Sequence, residues 1–293
     1  SLTNTSISGF QKNGIDIVNG NSATSGGGAI TVNVTGGTIT GAGPTDVIAQ
    51  NGIMFWNRAG GNLNGAISGV TLTGFNYTPD GNEATGFLNY GSGTGTLSIT
   101  GCNFSSNEVH VYDNEERLDI DTIVAANTFD KAAYIEDGNV VYSSIQAAIN
   151  TASTGDTIFI HAGTYVENPV LNATLNPNKQ LNFIGEVDAE GKPLPLIKGT
   201  LNIDLPFEDD NWSIENIKFE VTSSNHTLNL KNVNGLTIRN CEFDGAELFA
   251  SGKNGINIES GPNGNNLTVE DSVFKNGLYV GINGYVNSLA VKN

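Results

Sequence analysis

An all-β parallel solenoid is the fold that this sequence predicts. Three observations predict it: an eight-residue pattern that recurs along the chain, a solenoid-length spacing between its copies, and a composition of many glycines and few charges. The pattern runs apolar, polar, apolar, any, then Gly/Asn/Asp, a small or apolar residue, any, and finally Phe/Leu/Ile. Its clearest copies are Leu97 to Phe104, Trp212 to Phe219, Leu236 to Phe243 and Leu267 to Phe274. Weaker copies end at Ile7, Ile39, Leu72 and Phe129. The closing apolar residue recurs after 32, 33, 32 and 25 residues from Ile7 through Ile39, Leu72 and Phe104 to Phe129, and after 24 and 31 from Phe219 through Phe243 to Phe274. One coil of a solenoid fits these intervals, whereas the strands of a sandwich would recur every ~8–12 residues.

Each place in the pattern has a physical reason. Apolar residues at the first and third places suit a strand with one face inward. Asn4, Gly36, Gly69, Gly101, Asn216, Asn240 and Asp271 hold the fifth place, and these residue types tolerate the left-handed backbone of a sharp bend. Ala126 is the exception, so its rung should be irregular. Thr5, Val70, Cys102, Ile217, Cys241 and Ser272 follow the bend and should turn back inside. The closing Phe, Leu or Ile should stack on its neighbours, roughly 4.8 Å apart.

Composition agrees and excludes some functions. Of 293 residues, 37 are glycine and 15% are charged, which favours turns joined by short strands over helices. The net charge of -17 repels phosphate backbones and anionic lipid heads, so neither nucleic acid nor a membrane surface is an expected partner. Uncharged glycans and calcium are compatible with it. No run approaches the ~20 apolar residues needed to span a bilayer. No signal peptide is visible, and the chain opens at Ser1-Leu2-Thr3-Asn4 inside a repeat and stops at Asn293 inside a strand. It therefore reads as a piece of a longer protein.

Residues 1–130 hold about five rungs, after which the pattern breaks. Asp113 to Arg117 reads as a charged loop, and Ala132 to Tyr142 as a hairpin with a Gly138-Asn139 turn. The one convincing helix follows. Ser143 or Ser144 caps it, with Gln146 as capping-box partner to Ser143, and Ile145, Ala148, Ile149 and Ala152 line one face. Gly155 ends it, before the strand Thr157 to Ile160.

Ser144-Ile145-Gln146-Ala147-Ala148-Ile149, then Gly155-Asp156-Thr157-Ile158 and Gly163-Thr164-Tyr165-Val166-Glu167, resemble the amino-terminal cap of the pectin-lyase-like superfamily. The resemblance is nearest to pectinesterase-like and surface β-helix proteins and covers about residues 134–190. It implies a right-handed parallel β-helix in which an amphipathic helix covers the open end of the solenoid. Because this cap lies mid-chain, residues 1–130 are expected to be the carboxy-terminal part of one module, and 131–293 the capping helix and amino-terminal part of the next. By analogy, the parent is expected to be a tandem array on a bacterial surface or secreted outside the cell.

Catalytic motifs are sparse. The pectinesterase resemblance stops after Gly163 to Glu167: no later Gln-Asp pair, Asp-Phe-Ile-Phe-Gly or Arg-Pro-Trp follows, nor do the motifs of polygalacturonases. Tyr165 and Glu167 therefore read as a strand end near the cap, and no catalytic residue is assigned. A lyase reading rests on Arg239, which should point outward with Glu215 and Glu270 at matching places on adjacent rungs. The same trio also reads as a solvated charge ladder. Glu208, Asp209 and Asp210 form an acidic loop suited to calcium, but their spacing supplies no ligand set, so no cofactor or metal ligand is assigned. His110, His161 and His226 form no zinc-like pair. Cys102 and Cys241 should be buried small hydrophobes and not a disulfide. Trp56, Tyr77 and Tyr90 are candidates to stack on sugars. Two functions follow as expectations: a non-catalytic structural, adhesive or glycan-contacting region with neighbouring modules as partners, or a polysaccharide lyase or related carbohydrate-active enzyme.

Overall fold

The computed structural model describes residues 1–21, 27–78, 83–175, 179–205, 212–222, 226–247, 252–261 and 265–293. The fold is all-β, with parallel strands in stacked sheets and two short helices, and is consistent with a β-solenoid. The chain divides into two units. One comprises Ser1–Ala132 with Asp137–Ser143, the other Ala133–Glu136 with Ser144–Asn293.

In the first unit, the long strand Ala29–Thr45 bends at Gly36 and Gly37, whose φ angles are 63° and 89°. Its first half pairs with Asn62–Ser68, and its second half with Thr71–Tyr77. Leu97–Thr100, Asn103–Ser105 and Thr128–Phe129 continue these two stacks. A further stack joins Asn13–Asn19, Asn51–Asn57, Thr85–Tyr90 and Val109–Asp113, all parallel. The second unit has three parallel stacks. One runs Thr157–Ile160, Asn182–Gly185, Trp212–Glu215, Leu236–Arg239, Asn266–Glu270 and Ser288–Lys292. Another runs from Thr164–Tyr165 to Val273–Lys275, and the third from Val170–Asn172 to Val280–Gly284.

The predicted columns are register partners. Ile7, Ile39, Leu72, Phe104 and Phe129 face one another in succession, as do Phe219, Phe243 and Phe274. Their rings stack: Phe104 on Phe129 at 5.1 Å, Phe219 on Phe243 at 5.2 Å and Phe243 on Phe274 at 4.8 Å, with planes within 11° of parallel. All seven fifth-place residues have φ between 48° and 63°. Val70, Cys102, Ile217 and Cys241 then bury themselves, while Thr5 and Ser272 are half-buried. Side chains one rung on satisfy the backbone there: Asn127 Oδ1 accepts from Cys102 N at 2.8 Å, and Ser272 Oγ from Cys241 N at 3.1 Å.

Three expectations require correction. The irregular rung at Ala126 begins as a helix, α1 (Ile120–Ala126), not as a strand, so the described residues include two helices. Asp119 caps α1 by accepting from Thr122 N at 3.1 Å, and Ile120, Ile123 and Val124 turn inward at helical spacing. The helix packs on Leu97–Thr100, and Gly101 N donates to the Ala126 carbonyl. In the predicted hairpin, the left-handed residue is Asp137, with φ 54°, and not Gly138. Both of its arms are strands as expected, Ala133–Ile135 also pairing antiparallel with Thr157–Ile160 and Val140–Tyr142 with Val109–Asp113.

The predicted helix is α2 (Ile145–Thr151), with Ser144 as N-cap and the expected face buried. Its capping box, however, does not form. Glu167 takes that role: its carboxylate accepts from Ser144 Oγ at 2.8 Å, Ile145 N at 2.9 Å and Gln146 N at 3.2 Å. Gln146 instead pairs with both backbone groups of Val170, at 2.6 and 3.2 Å. At the other end, Lys179 Nζ donates to the carbonyls of Ile149 and Asn150, where a cation complements the helix dipole.

Candidate functional site

The charged trio forms as expected. Glu215, Arg239, Glu270 and Lys292 occupy one outward column in direct register. Arg239 Nε lies 2.6 Å from Glu270 and its Nη1 3.5 Å from Glu215, while Lys292 lies 3.8 Å from Glu270. The Glu270 hydrogen bond, then the Glu215 charge, raises the guanidinium pKa above its already high ordinary value. A group held so firmly as a cation does not serve as a general base. Arg239 is also 48% exposed, so water screens the ladder. Arg239→Gln is expected to lower the thermal midpoint by no more than about 2 °C. Thermal unfolding at low and high salt checks this, and the difference should vanish at high salt.

Similar lateral pairing recurs elsewhere in the second unit. Asn202, Asn229, Asn257 and Asn283 are register partners and bond amide to amide at 3.5, 2.8 and 3.0 Å. Lys275 bridges Glu242 at 2.6 Å and Asp244 at 3.6 Å, and Lys198 meets Glu220 at 2.8 Å. Sequence reasoning missed the asparagine column, although its members recur every 26 to 28 residues.

Other candidates are dispersed. Glu208, Asp209 and Asp210 lie outside the described residues. Among the described residues, no group of three or more His, Cys, Asp and Glu side chains is placed to hold a metal ion. His161 pairs with Glu186 at 2.8 Å, and His110 is fully buried at the other unit's core. Cys102 and Cys241 are free and buried, and burial pushes the Cys241 thiol up to about 12. Tyr165 is buried, and its hydroxyl donates to the His161 carbonyl at 2.9 Å. Asp113, read only as part of a charged loop, is a buried organiser: its carboxylate accepts from Asn89 Nδ2, Arg117 N and Leu118 N.

The first unit carries a different kind of outer face. Ile53, Phe55, Phe87 and Val111 fill its core, so alternation along the same strands sends their neighbours outward. Two outward columns result: Asp16, Met54, Leu88 and Tyr112, and beside it Val18, Trp56 and Tyr90. Tyr90 and Val18 are each 44% exposed. The Trp56 and Tyr90 rings meet edge to face at 5.6 Å, and the Arg58 guanidinium lies 3.9 Å over the Trp56 ring. Alongside runs an open groove of about 440 Å³, lined by Lys12, Asn51, Glu83, Leu88, Tyr90 and Tyr112. Asn13, Asn51 and Thr85 are linked beside it by hydrogen bonds of 2.9 and 2.7 Å.

Desolvation raises the Glu83 carboxyl, with Glu108 adding to the effect, and lowers Lys12. Desolvation also raises the Tyr112 hydroxyl, followed by the nearby Glu83 and Tyr90. Of the three aromatics singled out for sugar stacking, Trp56 and Tyr90 come together here. Tyr77 lies on Thr71–Tyr77, in another sheet, where its N–H donates to the Glu108 carboxylate at 3.1 Å.

Searches against protein-family models, curated proteins and solved structures found no match to this chain. The class that stands on geometry is an all-β protein of parallel strands in stacked sheets.

Proposed function

We propose that this chain is a non-catalytic structural and adhesive region of a bacterial cell-surface or secreted protein, built as a right-handed parallel β-helix of the pectin-lyase-like kind and contacting glycans through its outer faces. The lateral ladders carry this reading. In Glu215–Arg239–Glu270–Lys292 and Asn202–Asn229–Asn257–Asn283, each polar group is matched to the next strand. Such groups hold rung to rung and stiffen a stalk; a catalytic centre instead converges different groups on one point. The cap-like segment around α2 supports tandem modules as neighbours, and the net charge of -17 supports an exterior setting over a nucleic-acid partner.

The test pairs binding with turnover. The purified chain is placed on a polysaccharide array, with and without calcium, and incubated with pectic and related polysaccharides. Binding without new reducing ends, unsaturated product or released ester is the expected result. Depolymerisation or de-esterification at enzyme-like rates would replace this reading with the enzymatic one.

A further inference from the structure

We infer that the outward face around Tyr90 and Tyr112 in the first unit is a binding site for an uncharged, unbranched chain of pyranose sugars. This inference rests on the glycan-contacting part of the proposed function and names its site and ligand class. Three observations carry it.

The first is shape. The groove's volume of about 440 Å³ falls within the range of small-ligand sites, and it runs beside an outward apolar strip that crosses successive strands. Contiguous outward apolar surface of this kind marks a contact site more often than chance exposure.

The second is chemistry. Tyr90, Tyr112 and Trp56 each offer an apolar ring with a polar edge, which suits a sugar's apolar ring face and hydroxyl rim together. The Trp56–Tyr90 edge-to-face contact holds two of these rings in place, so little side-chain freedom is lost on binding. Asn51, Glu83 and the tyrosine hydroxyls supply hydrogen-bonding groups around the same groove, and the Tyr112 hydroxyl is oriented by a 3.0 Å bond to Asn114.

The third is charge, which selects neutral sugars over polyuronates. Among the described residues the cations on this face are Lys12 and Arg58, and each is already held by a neighbour in the fold. Lys12 Nζ donates to the Ala49 carbonyl at 2.6 Å, and the Arg58 guanidinium carbon lies 3.9 Å from the centre of the Trp56 ring. Asp16 and Glu83 flank the same face, and the whole chain is at -17. A chain with a carboxylate on every sugar would bring more negative charge to this face than two cations can offset.

Cellohexaose, laminarihexaose and mannohexaose serve as neutral probes, and polygalacturonate as the anionic comparator. Binding is followed by calorimetry and by tryptophan emission. Trp212 is buried in the other unit, so a sugar-dependent change reports on Trp56. At least one neutral hexasaccharide should bind and shift that emission, and Tyr90→Ala and Tyr112→Ala should each weaken binding about tenfold or more. Tyr90→Leu, which keeps an apolar contact on Trp56, should weaken it in the same direction and serves if an alanine variant fails to fold. Binding unchanged in the folded variants would move the glycan site elsewhere and overturn this inference alone. Binding of polygalacturonate in place of the neutral probes would overturn the ligand class. Binding of none would overturn the inference and remove the glycan contact from the proposed function, leaving its structural part to the turnover assay.

Discussion

Phe243→Ala is expected to destabilise the second unit by about 3–5 kcal/mol, toward the upper end of that range. Phe243 is fully buried between Phe219 at 5.2 Å and Phe274 at 4.8 Å. Removing the ring opens a void that the structure cannot close. Glu242–Asp244 is hydrogen-bonded in register to Lys218–Glu220 on one side and Val273–Lys275 on the other. Backbone ladders fix that spacing at roughly 4.8 Å, so the neighbouring rings cannot move together to fill the gap. Val273→Ala, at a position 53% exposed in the adjacent strand, is the control and should change little. Urea unfolding gives the global value, and hydrogen exchange in Leu236–Arg239 gives the local one. An unchanged midpoint and unchanged protection in the Phe243 variant would show that the column is not the core of this unit.

That column also shows what was legible in the sequence. The closing aromatic residues were found because each sits at a fixed offset from a turn residue forced into left-handed backbone, so one steric requirement marks the register of a whole rung. Tyr165 and Ile197 head the same column, facing Ile197 and Phe219, yet were missed as members. Ile197 follows Pro193 and Pro195, and no alternating strand precedes it to signal the rung. Helix α1 was missed because Ile123-Val124-Ala125-Ala126 is too short for its period to separate helix from strand. The local signal that would have decided it is Asp119 three residues before Thr122, a side-chain cap.

The candidate sites divide in the same way. Glu215, Arg239 and Glu270 were legible because they hold the same place in clear repeats. The outer face of the first unit was not, because Val18, Trp56 and Tyr90 are separated by 38 and 34 residues through loops of unequal length. Only the register of the folded strands places them side by side. Asp113 and Glu167 looked like ordinary charges because two of the three partners named for each are backbone N–H groups, which a sequence does not display. Function in this chain is therefore hardest to read where it depends on the outward-facing half of each strand: inward residues repeat for packing, and outward ones vary.

Between pH 6.5 and about 4, the first unit is expected to lose about 3 kcal/mol of stability through His110 alone. Its imidazole is fully buried, 5.3 Å from the Phe129 ring and 6.1 Å from that of Phe104. Nε2 lies 2.8 Å from the Lys131 carbonyl, which can only accept, so Nε2 carries the proton. Nδ1 is then the acceptor for Asn107 Nδ2 at 3.3 Å, and a second proton has no place there without breaking that bond. Burial pushes the pKa down to about 4; Asp130 at 3.4 Å and the Lys131 carbonyl oppose the shift without cancelling it, and the Lys131 charge adds to it. A folded-state pKa below the unfolded value of 6.5 means that the unfolded chain binds the extra proton first as pH falls. The stabilisation is thus fully present above 6.5, declines through the window, and is lost near 4. Carboxylates begin to titrate at the lower end of this window, so the observable is the difference between wild type and His110→Gln. Amide protection in Val109–Asp113 should fall with pH more steeply in the wild type than in the variant. Parallel curves would mean that the imidazole is not held neutral in the folded protein.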